Sequence, residues 1–414
     1  MEFNKKALAS LYSNYEGGAE ATADYKHGGN YAVELGDTLN DKYEIIRKLG
    51  HGPTSNVWLG TYYPNQFVAI KVITGKLSKK AEKNTLLDDI YKDNAHSSHL
   101  VKRLDKFTVT GTNGTHVCEV LEPMGPSVAD MWQRFDSDKK SRKLADAKIG
   151  LAQQFLRQVL MGLQELHTKG IAHGNVDASN WVLAIEDLSE RVKPNDVKQD
   201  PEDPDNLVDV KKRQKGAPKK ITRDEPLHKY ITMENGKMHL KLTDFNACFR
   251  AGAPEDAVGG SAPAHMRAPE QIMSDVYEMT EAVDIWTLGC VLFELLTGHQ
   301  LFKFSRSKSK EVDDEHLIEM NAVVGTLPQE ITSKWKPTTF YAQVVGEHGH
   351  ITPPPDFKPT PILEAHFDSL KPAAMDDDEA AQVKKLLRSM FQYDPKNRPS
   401  VAELLHDPWI SASA

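Results

Sequence analysis

The stretch IAHGNVDASNWVL, residues 171–183, is the segment from which the architecture of this chain can be inferred. It fits the catalytic-loop frame His-x-Asp-x-x-x-x-Asn. His173 opens the frame and Asn180 closes it at the expected spacing. The position of the acidic residue holds Asn175, and Asp177 follows two residues later. The loop therefore predicts a fold, but the replacement of its acidic residue leaves open whether the site is catalytic.

Composition narrows the class of protein. The 414 residues suffice for one two-lobed domain or two small domains, and 39% hydrophobic and 27% charged residues are ordinary for a globular chain. A net charge of -8 argues against direct nucleic-acid binding, which needs a basic face, but permits a basic peptide partner. Three widely spaced cysteines favour free thiols in a reducing compartment.

No segment of the sequence predicts a membrane anchor. The N-terminus lacks an apolar signal core. The longest apolar run, residues 283–296, contains Asp284 and Glu294 and is too short to span a bilayer, so we expect a buried core helix. These features predict a cytoplasmic or nuclear protein, or one found in both.

Residues 42–73, KYEIIRKLGHGPTSNVWLGTYYPNQFVAIKVI, predict three strands by their alternation and β-branched content. A glycine-rich turn lies between the first two strands, where Gly50 and Gly52 let the backbone close over phosphates. The third strand carries Val68-Ala69-Ile70-Lys71. Together with residues 171–183, this pattern resembles eukaryotic protein kinases.

A narrower resemblance comes from the lead-in Tyr25-x-x-Gly28-Gly29-x-Tyr31-x-Val33-x-x-Gly36-Asp37. It resembles the entry segment of the SR-protein kinase family, which phosphorylates serines in Arg/Ser-rich proteins, and suggests a divergent, fungal-type member. The implied fold is α+β, with a small β-rich lobe and a larger, mostly helical lobe. The implied divisions are a disordered terminus (1–24), a small lobe (25–122), a large lobe (123–410) and a tail (411–414).

The resemblance implies an ATP site between the lobes. Lys71 is expected to hold the α- and β-phosphates. It needs an acidic partner on a predicted helix at residues 78–93, for which we favour Asp89 over Glu82. The other expected ATP-binding residues are Leu49, Gly50, Gly52, Val57, Ala69, Glu122 and Met124. Glu122 and Met124 would contact the adenine through their backbones.

Metal binding is implied by Asn180 and by Asp244, which opens Asp244-Phe245-Asn246. Carboxylate and amide oxygens suit Mg²⁺. The segment from there to Ala268-Pro269-Glu270 contains Ser261 but no Thr or Tyr, so activation by phosphorylation is poorly supported.

Two motifs of the large lobe are expected to stabilise the fold. Asp284, in Asp284-x-Trp286-x-x-Gly289, should hold the catalytic-loop backbone. Arg398 should form an ion pair with Glu270.

Residues 187–235 form a charge-dense, Pro-rich insert, which we expect to be disordered. SR-protein kinases carry a spacer at this place. It is either a solvated loop or a docking or targeting segment, for which the basic run Lys211-Lys212-Arg213 is suggestive.

Substrate docking is implied by EVDDEHLIEM, residues 311–320, which resembles the region where the family holds Arg-rich substrates. Asp313, Asp314 and Glu315 are the expected docking acids.

Two functions stay open. The first is an ATP- and Mg²⁺-dependent serine/threonine kinase acting on an Arg/Ser-rich protein at a reduced rate, with Asn175 orienting the hydroxyl or Asp177 replacing the missing base. The second is a pseudokinase that binds nucleotide or a partner protein as a scaffold. The alternative to Asp177 as the base is that it is a solvated or loop-capping carboxylate.

Overall fold

The computed structural model of the chain describes residues 8, 11–12, 17–62, 65–93, 97–137, 142–208, 215–234, 237–258, 262–304, 309–346, 351–354, 357–358 and 360–412. A β-sheet region comes first and a helical region follows. This is the α+β, two-lobed architecture that the sequence predicts. The basic run at 211–213 and Ser261 lie outside the described residues.

The N-terminal lobe is built on a six-stranded sheet with the order β1-β2-β3-β4-β6-β5. All neighbouring strands are antiparallel. The strands are β1 Thr38–Leu39, β2 Tyr43–His51, β3 Ser55–Tyr62, β4 Gln66–Ile73, β5 Arg103–Gly111 and β6 Gly114–Leu121.

Both faces of this sheet are covered. Because successive side chains of a strand point to opposite faces, Ile45 joins an apolar cluster with Trp58 and Val120, whereas Ile46 joins another with Leu59. The second cluster is completed by residues of the insert, which explains why β2 has few exposed positions.

Two helices connect β4 to β5: α1 Gly75–Lys83 and α2 Thr85–Asp93. The single helix predicted at 78–93 is therefore wrong. Asn84 interrupts it, because its Oδ1 accepts a hydrogen bond from Leu87 N at 2.9 Å and so caps the first turn of α2. Its Nδ2 donates to Asp256 O at 2.6 Å, which ties this break to the segment after Asp244.

The C-terminal lobe is mostly helical. Its principal helices are α3 Val128–Ser137, α4 Arg142–His167, α7 Pro269–Ile272, α8 Ala282–Thr297, α9 Ser309–Val323, α10 Gln329–Thr332, α11 Leu363–Leu370, α12 Asp377–Met390, α13 Val401–Leu405 and α14 Pro408–Ser411. Short helices α5 Leu188–Arg191 and α6 Pro194–Val197 belong to the insert. The short strands are β7 Ile171–Ala172, β8 Trp181–Leu183, β9 Leu207–Val208, β10 Ile221–Thr222, β11 Met233–Glu234, β12 Lys237–Met238, β13 Leu240–Leu242 and β14 Phe249–Arg250.

Helix α8 is the buried centre of this lobe, as the apolar run predicts. The three motif residues of this helix have separate contacts. Asp284 accepts hydrogen bonds from the catalytic loop, and Trp286 packs under the Arg398 guanidinium at 5.2 Å. Gly289 permits close approach of α12, since a Cβ there would lie 2.9 Å from the Phe391 ring. No helix of the described residues is long and apolar enough to cross a membrane.

The expected disorder of the terminus and of the insert is wrong for their described residues. Glu20, from the terminal segment, forms a buried ion pair with Lys48 of β2. Within the insert, β9 pairs with β10, and Val197 is buried against the N-terminal sheet. Arg47 Nε donates to Val197 O at 2.6 Å. Composition predicted disorder because it cannot show that a few apolar side chains of a charged segment have a partner surface.

Candidate active site

A cleft of about 630 Å³ lies between the sheet and the helical lobe. The structure brings together there most of the residues that the sequence singled out. Those lining the cleft are Leu49, Gly50, Gly52, Val57, Ala69, Lys71, Glu122, Met124, Asn175, Asp177, Asn180 and Asp244. Asp89 and the three expected docking acids are outside it.

The roof of the cleft is the turn between β2 and β3. Gly52 N donates to Ser55 O at 2.9 Å and closes the turn. A Cβ built at Gly50 would meet nothing within 4 Å, and one at Gly52 would meet only Ser55 O at 3.9 Å. Packing within the protein therefore does not require these glycines. The open space beside the backbone leaves room for a phosphate group.

The segment after β6 forms the inner edge of the cleft. The Glu122 side chain is held by Lys241 at 2.7 Å and by Lys102 N at 2.8 Å. The Glu122 carbonyl and the Met124 amide form no hydrogen bond with any residue that the structure describes. Both remain available to a ligand with a donor and an acceptor on one edge, such as adenine.

Lys71 and Asp244 form an ion pair inside the cleft. Lys71 Nζ lies 2.7 Å from Asp244 Oδ1, and the Lys71 side chain is only 5% exposed. Burial opposes ionisation of the Asp244 carboxyl, but the attraction and the hydrogen bond of Lys71 outweigh it, and the pKa is lowered. Asp244 has φ +62°, a left-handed backbone in which its carboxylate caps the following turn.

The predicted partner of Lys71 is wrong. Asp89 is exposed on α2 and lies 3.5 Å from Arg250 at the start of the segment after Asp244. The alternative, Glu82, is exposed on α1. The adjacent Asp88 pairs with Arg103 at 2.7 Å. Because α2 begins only after Asn84, its buried side is made of apolar residues and Tyr91 and carries no carboxylate.

A column of rings connects α2 to the catalytic loop. The Tyr91 and Phe245 ring centroids are 5.3 Å apart, and those of Phe245 and His173 are 5.7 Å apart, both edge to face. Asp284 then holds the loop backbone, accepting from His173 N at 2.7 Å and from Gly174 N at 2.8 Å. The prediction for Asp284 is confirmed.

Gly174 stands where the catalytic loop meets the segment after Asp244. Its φ is +76°, and a Cβ would lie 2.3 Å from Ala247 O. Only glycine fits this position without moving the neighbouring backbone. No side chain is therefore present at Gly174 to receive an activating phosphate.

Asn175, at the base position, lines the cleft. Its Oδ1 is buried and accepts no hydrogen bond from a described residue. Asn180 Nδ2 donates to the Asn175 carbonyl at 3.0 Å, which leaves the Asn180 amide oxygen to face the cleft. The side chain of Asp177 accepts from Ser179 N at 2.8 Å and caps the short helical turn 178–180. This supports the interpretation of Asp177 as a capping residue.

The donor set of the cleft fits a metal that keeps other oxygen ligands. Asp244 supplies a carboxylate and Asn180 an amide oxygen, both hard ligands of the kind Mg²⁺ takes. The described residues contain no group of three or more His, Cys, Asp or Glu side chains arranged for a metal. Mg²⁺ usually keeps several ligands that the protein does not supply, and the pair Asp244 and Asn180 is compatible with that kind of site.

The expected docking acids are mostly inside the protein, so this prediction is wrong for Asp314 and Glu315. They are 4% and 1% exposed. Asp314 accepts from Trp335 Nε1 at 2.7 Å and fixes the chain after α10. Asp313 is partly exposed, but Arg267 neutralises it at 2.9 Å. The sequence could not show that the helical turn of α9 directs the second and third acids inward.

Two features around the cleft were not predicted from the sequence. The insert reaches the mouth of the cleft, where Asp224 Oδ2 lies 2.6 Å from His51 Nδ1 on the glycine-rich turn. This contact raises the pKa of His51. The second is Glu119 on β6, which is only 2% exposed. A lone carboxylate in the apolar run HVCEVL, residues 116–121, was the available signal for it.

Comparison with known proteins agrees with this geometry. The family described as "Protein kinase domain" matches residues 229–410. The serine/threonine-protein kinase SRPK of Physarum polycephalum is 27% identical over 415 residues, covering 95% of this chain and 91% of that protein. A serine/threonine protein kinase of Aspergillus fumigatus is also 27% identical, with 94% and 89% covered. Protein kinase dsk1 of Schizosaccharomyces pombe is 22% identical, with 99% and 87% covered.

Among solved structures, the crystal structure of a kinase domain aligns with a TM-score of 0.59 at 23% identity. The alignment covers 92% of this chain and 98% of that one. The fold is thus that of the two-lobed protein kinases. In sequence, the chain is similar at low identity to eukaryotic protein kinases of the SR-protein-kinase type.

Proposed function

We propose that the chain is an ATP- and Mg²⁺-dependent serine/threonine protein kinase with a reduced rate of phosphate transfer. The observation that carries this proposal is the Lys71–Asp244 ion pair at 2.7 Å, in a cleft that also contains Asn180 and the open glycine-rich turn. Phosphoryl transfer depends mostly on positioning and on neutralising charge. Lys71 would contact the phosphates, and Asp244 and Asn180 would hold the metal.

The reduced rate follows from Asn175. Its Oδ1 is buried and has no partner among the described residues, and a rotation of the side chain would let this oxygen accept a hydrogen bond from a substrate hydroxyl and orient it. An amide cannot take the proton, and a general base contributes about 10²–10⁴-fold. Asp177 places a carboxylate at the same edge of the cleft, where it opposes the approach of the anionic phosphates.

Asn175 also favours a second candidate, a pseudokinase that binds nucleotide or a partner protein as a scaffold. In that case the ion pair and the cleft would serve only binding. The insert, which is packed on the N-terminal sheet, would then belong to the surface that a partner recognises.

For the substrate we propose a serine in an Arg/Ser-rich protein of the splicing-factor type, encountered in the cytoplasm or nucleus. This proposal is supported by similarity to proteins named as SR-type kinases, such as SRSF protein kinase 3 of Mus musculus at 22% identity. The net charge of -8 favours a basic partner. The carboxylates of Asp314 and Glu315 do not contribute to it.

The decisive experiment is single-turnover transfer from labelled ATP to an Arg/Ser-repeat peptide, with Lys71→Ala as the control for a contaminating kinase. Transfer by the natural chain that disappears in Lys71→Ala supports the kinase. Absence of transfer, with Mg²⁺-ATP binding measured separately, supports the pseudokinase. A peptide with Lys in place of Arg tests the substrate class in the same assay.

A further inference from the structure

Lys71 has no acidic partner on α2. Its ammonium must nevertheless be held in place when phosphates bind Lys71 and a metal binds Asp244. In the structure Asp244 Oδ1 is its ion-pair partner at 2.7 Å. A carboxylate that ligates a metal is no longer free to hold a lysine in the same way. A second carboxylate near Lys71 is therefore needed to fix the ammonium during nucleotide binding.

Glu119 lies where such a carboxylate could act. In the register of the sheet, Lys71 on β4 is directly opposite Glu119 on β6, and Ala69 is opposite Leu121. Directly opposite residues of antiparallel strands project on the same face, with Cβ atoms about 4.5–5.5 Å apart. Ala69 and Leu121 line the cleft. Lys71 lies two residues after Ala69 on β4, and Glu119 lies two residues before Leu121 on β6. Both side chains therefore project from the same face of the sheet as Ala69 and Leu121, at the inner end of the cleft.

The surroundings of Glu119 are built for an ionisable group. Tyr91 OH donates to Glu119 Oε2 at 3.4 Å, and Arg103 Nη1 lies 3.8 Å from Oε1. Burial raises the pKa of the Glu119 carboxyl, and the nearby cations Lys71 and Arg103 oppose the rise. Arg103 is shared with Asp88, its closer partner at 2.7 Å. Lys71 is the cation directly opposite Glu119 on the neighbouring strand β4.

We propose that Glu119 is the positioning residue that holds the Lys71 ammonium for the phosphates of ATP, in place of an acid on α2. This inference rests on the proposed nucleotide-binding function. Because Glu119 belongs to the sheet that also carries Lys71, the distance between their backbones is set by strand pairing and does not depend on α2. Movement of α2 would then leave Lys71 in place.

Nucleotide affinity gives the first test. We expect Glu119→Gln, which keeps the shape of the side chain, to weaken Mg²⁺-ATP binding by about 10- to 150-fold, the usual range for one hydrogen bond to a charged group. Adenosine, which lacks phosphates, should bind the variant and the natural chain equally in titration calorimetry. Asp89→Asn is the matched control and should change neither affinity. Equal losses for ATP and adenosine, or no loss for ATP, would overturn the proposal.

A second test does not need nucleotide and so separates this inference from the proposed function. Melting temperatures of Lys71→Met, Glu119→Gln and the double variant form a thermodynamic cycle, measured in an Asp244→Asn background because Asp244 is the ion-pair partner of Lys71 in the structure. If the two side chains form a pair, the double variant loses less than the sum of the two single losses. The same cycle with Asp89→Asn should be additive. Additivity for Glu119 would reject the pairing even if ATP binds, and coupling would support it even if ATP does not.

Discussion

The Lys71 ammonium lies 2.7 Å from Asp244 Oδ1, although the two residues come from different lobes. The attraction of Lys71 outweighs burial and keeps the pKa of Asp244 low. Asp244 is therefore ionised before a metal arrives, and no proton has to leave when it binds. The pair also ties β4 to the segment that begins at Asp244.

Asn175→Asp should increase phosphate transfer, because it restores a group that can accept the hydroxyl proton. The gain should lie within the usual range of a general base, about 10²–10⁴-fold. Single-turnover rates of both proteins with the same peptide measure it. An unchanged or lower rate would show that the missing base is not the limiting defect.

Asp177→Asn distinguishes the two roles considered for Asp177. Asparagine can still accept the hydrogen bond from Ser179 N, which lies 2.8 Å from Asp177 Oδ1. If Asp177 only caps the turn, the melting temperature should be nearly unchanged, and the transfer rate should stay the same or rise because a negative charge near the phosphates is removed. Loss of transfer without loss of stability would mean that Asp177 acts as the base.

The contact between His51 and Asp224 should depend on pH. The hydrogen bond to Asp224 is the main cause that raises the pKa of His51, with Lys48 opposing it and Glu20 supporting it. A raised folded-state pKa means that the stabilisation is complete below the ordinary pKa of histidine and is lost as pH rises through the raised value. The difference in melting temperature between the natural chain and His51→Gln should therefore be greatest below the ordinary pKa of histidine, about 6.5, and should shrink as pH rises through the raised pKa. A constant difference would contradict this.

Arg398→Met should destabilise the helical lobe strongly. The Arg398–Glu270 pair is fully buried, with Nη1 and Oε1 2.6 Å apart. Removal of one partner leaves a buried charge alone, which costs about 3–5 kcal/mol. Denaturant unfolding measures the loss. Lys384→Met, which breaks the more exposed pair with Asp368, is the control and should cost at most about 1 kcal/mol. Similar losses in both variants would refute this ranking.

The local sequence pattern was sufficient to predict much of the fold and several side-chain contacts. Alternation and β-branched content predicted β2, β3 and β4, and the apolar run at residues 283–296 predicted the buried helix α8. The ion pair of Arg398 with Glu270 was predicted from motif positions and is confirmed. These features depend on residues whose side chains have a fixed direction on a strand or helix, or on charged motifs that have one partner in the fold.

The wrong predictions, and the residue that was not predicted, have a different cause. Asp89, Asp314 and Glu315 lie on helices whose start or rotation the sequence did not fix, so their side chains point elsewhere. The cap at Asn84 decides this for Asp89, since it begins α2 late. Glu119 went unnoticed because its significance depends on the pairing of β4 with β6, which joins positions far apart in the chain.

The most direct test of the account is Mg²⁺-ATP binding by thermal shift and calorimetry, with Lys71→Ala beside the natural chain. A ligand at a concentration of 100 times its Kd stabilises a protein by about 2.7 kcal/mol, which should raise the melting temperature by a few degrees. The account predicts this shift for the natural chain, a smaller one without Mg²⁺, and almost none for Lys71→Ala. No shift with millimolar nucleotide, or the same shift in Lys71→Ala, would contradict the assignment of the cleft as a nucleotide site.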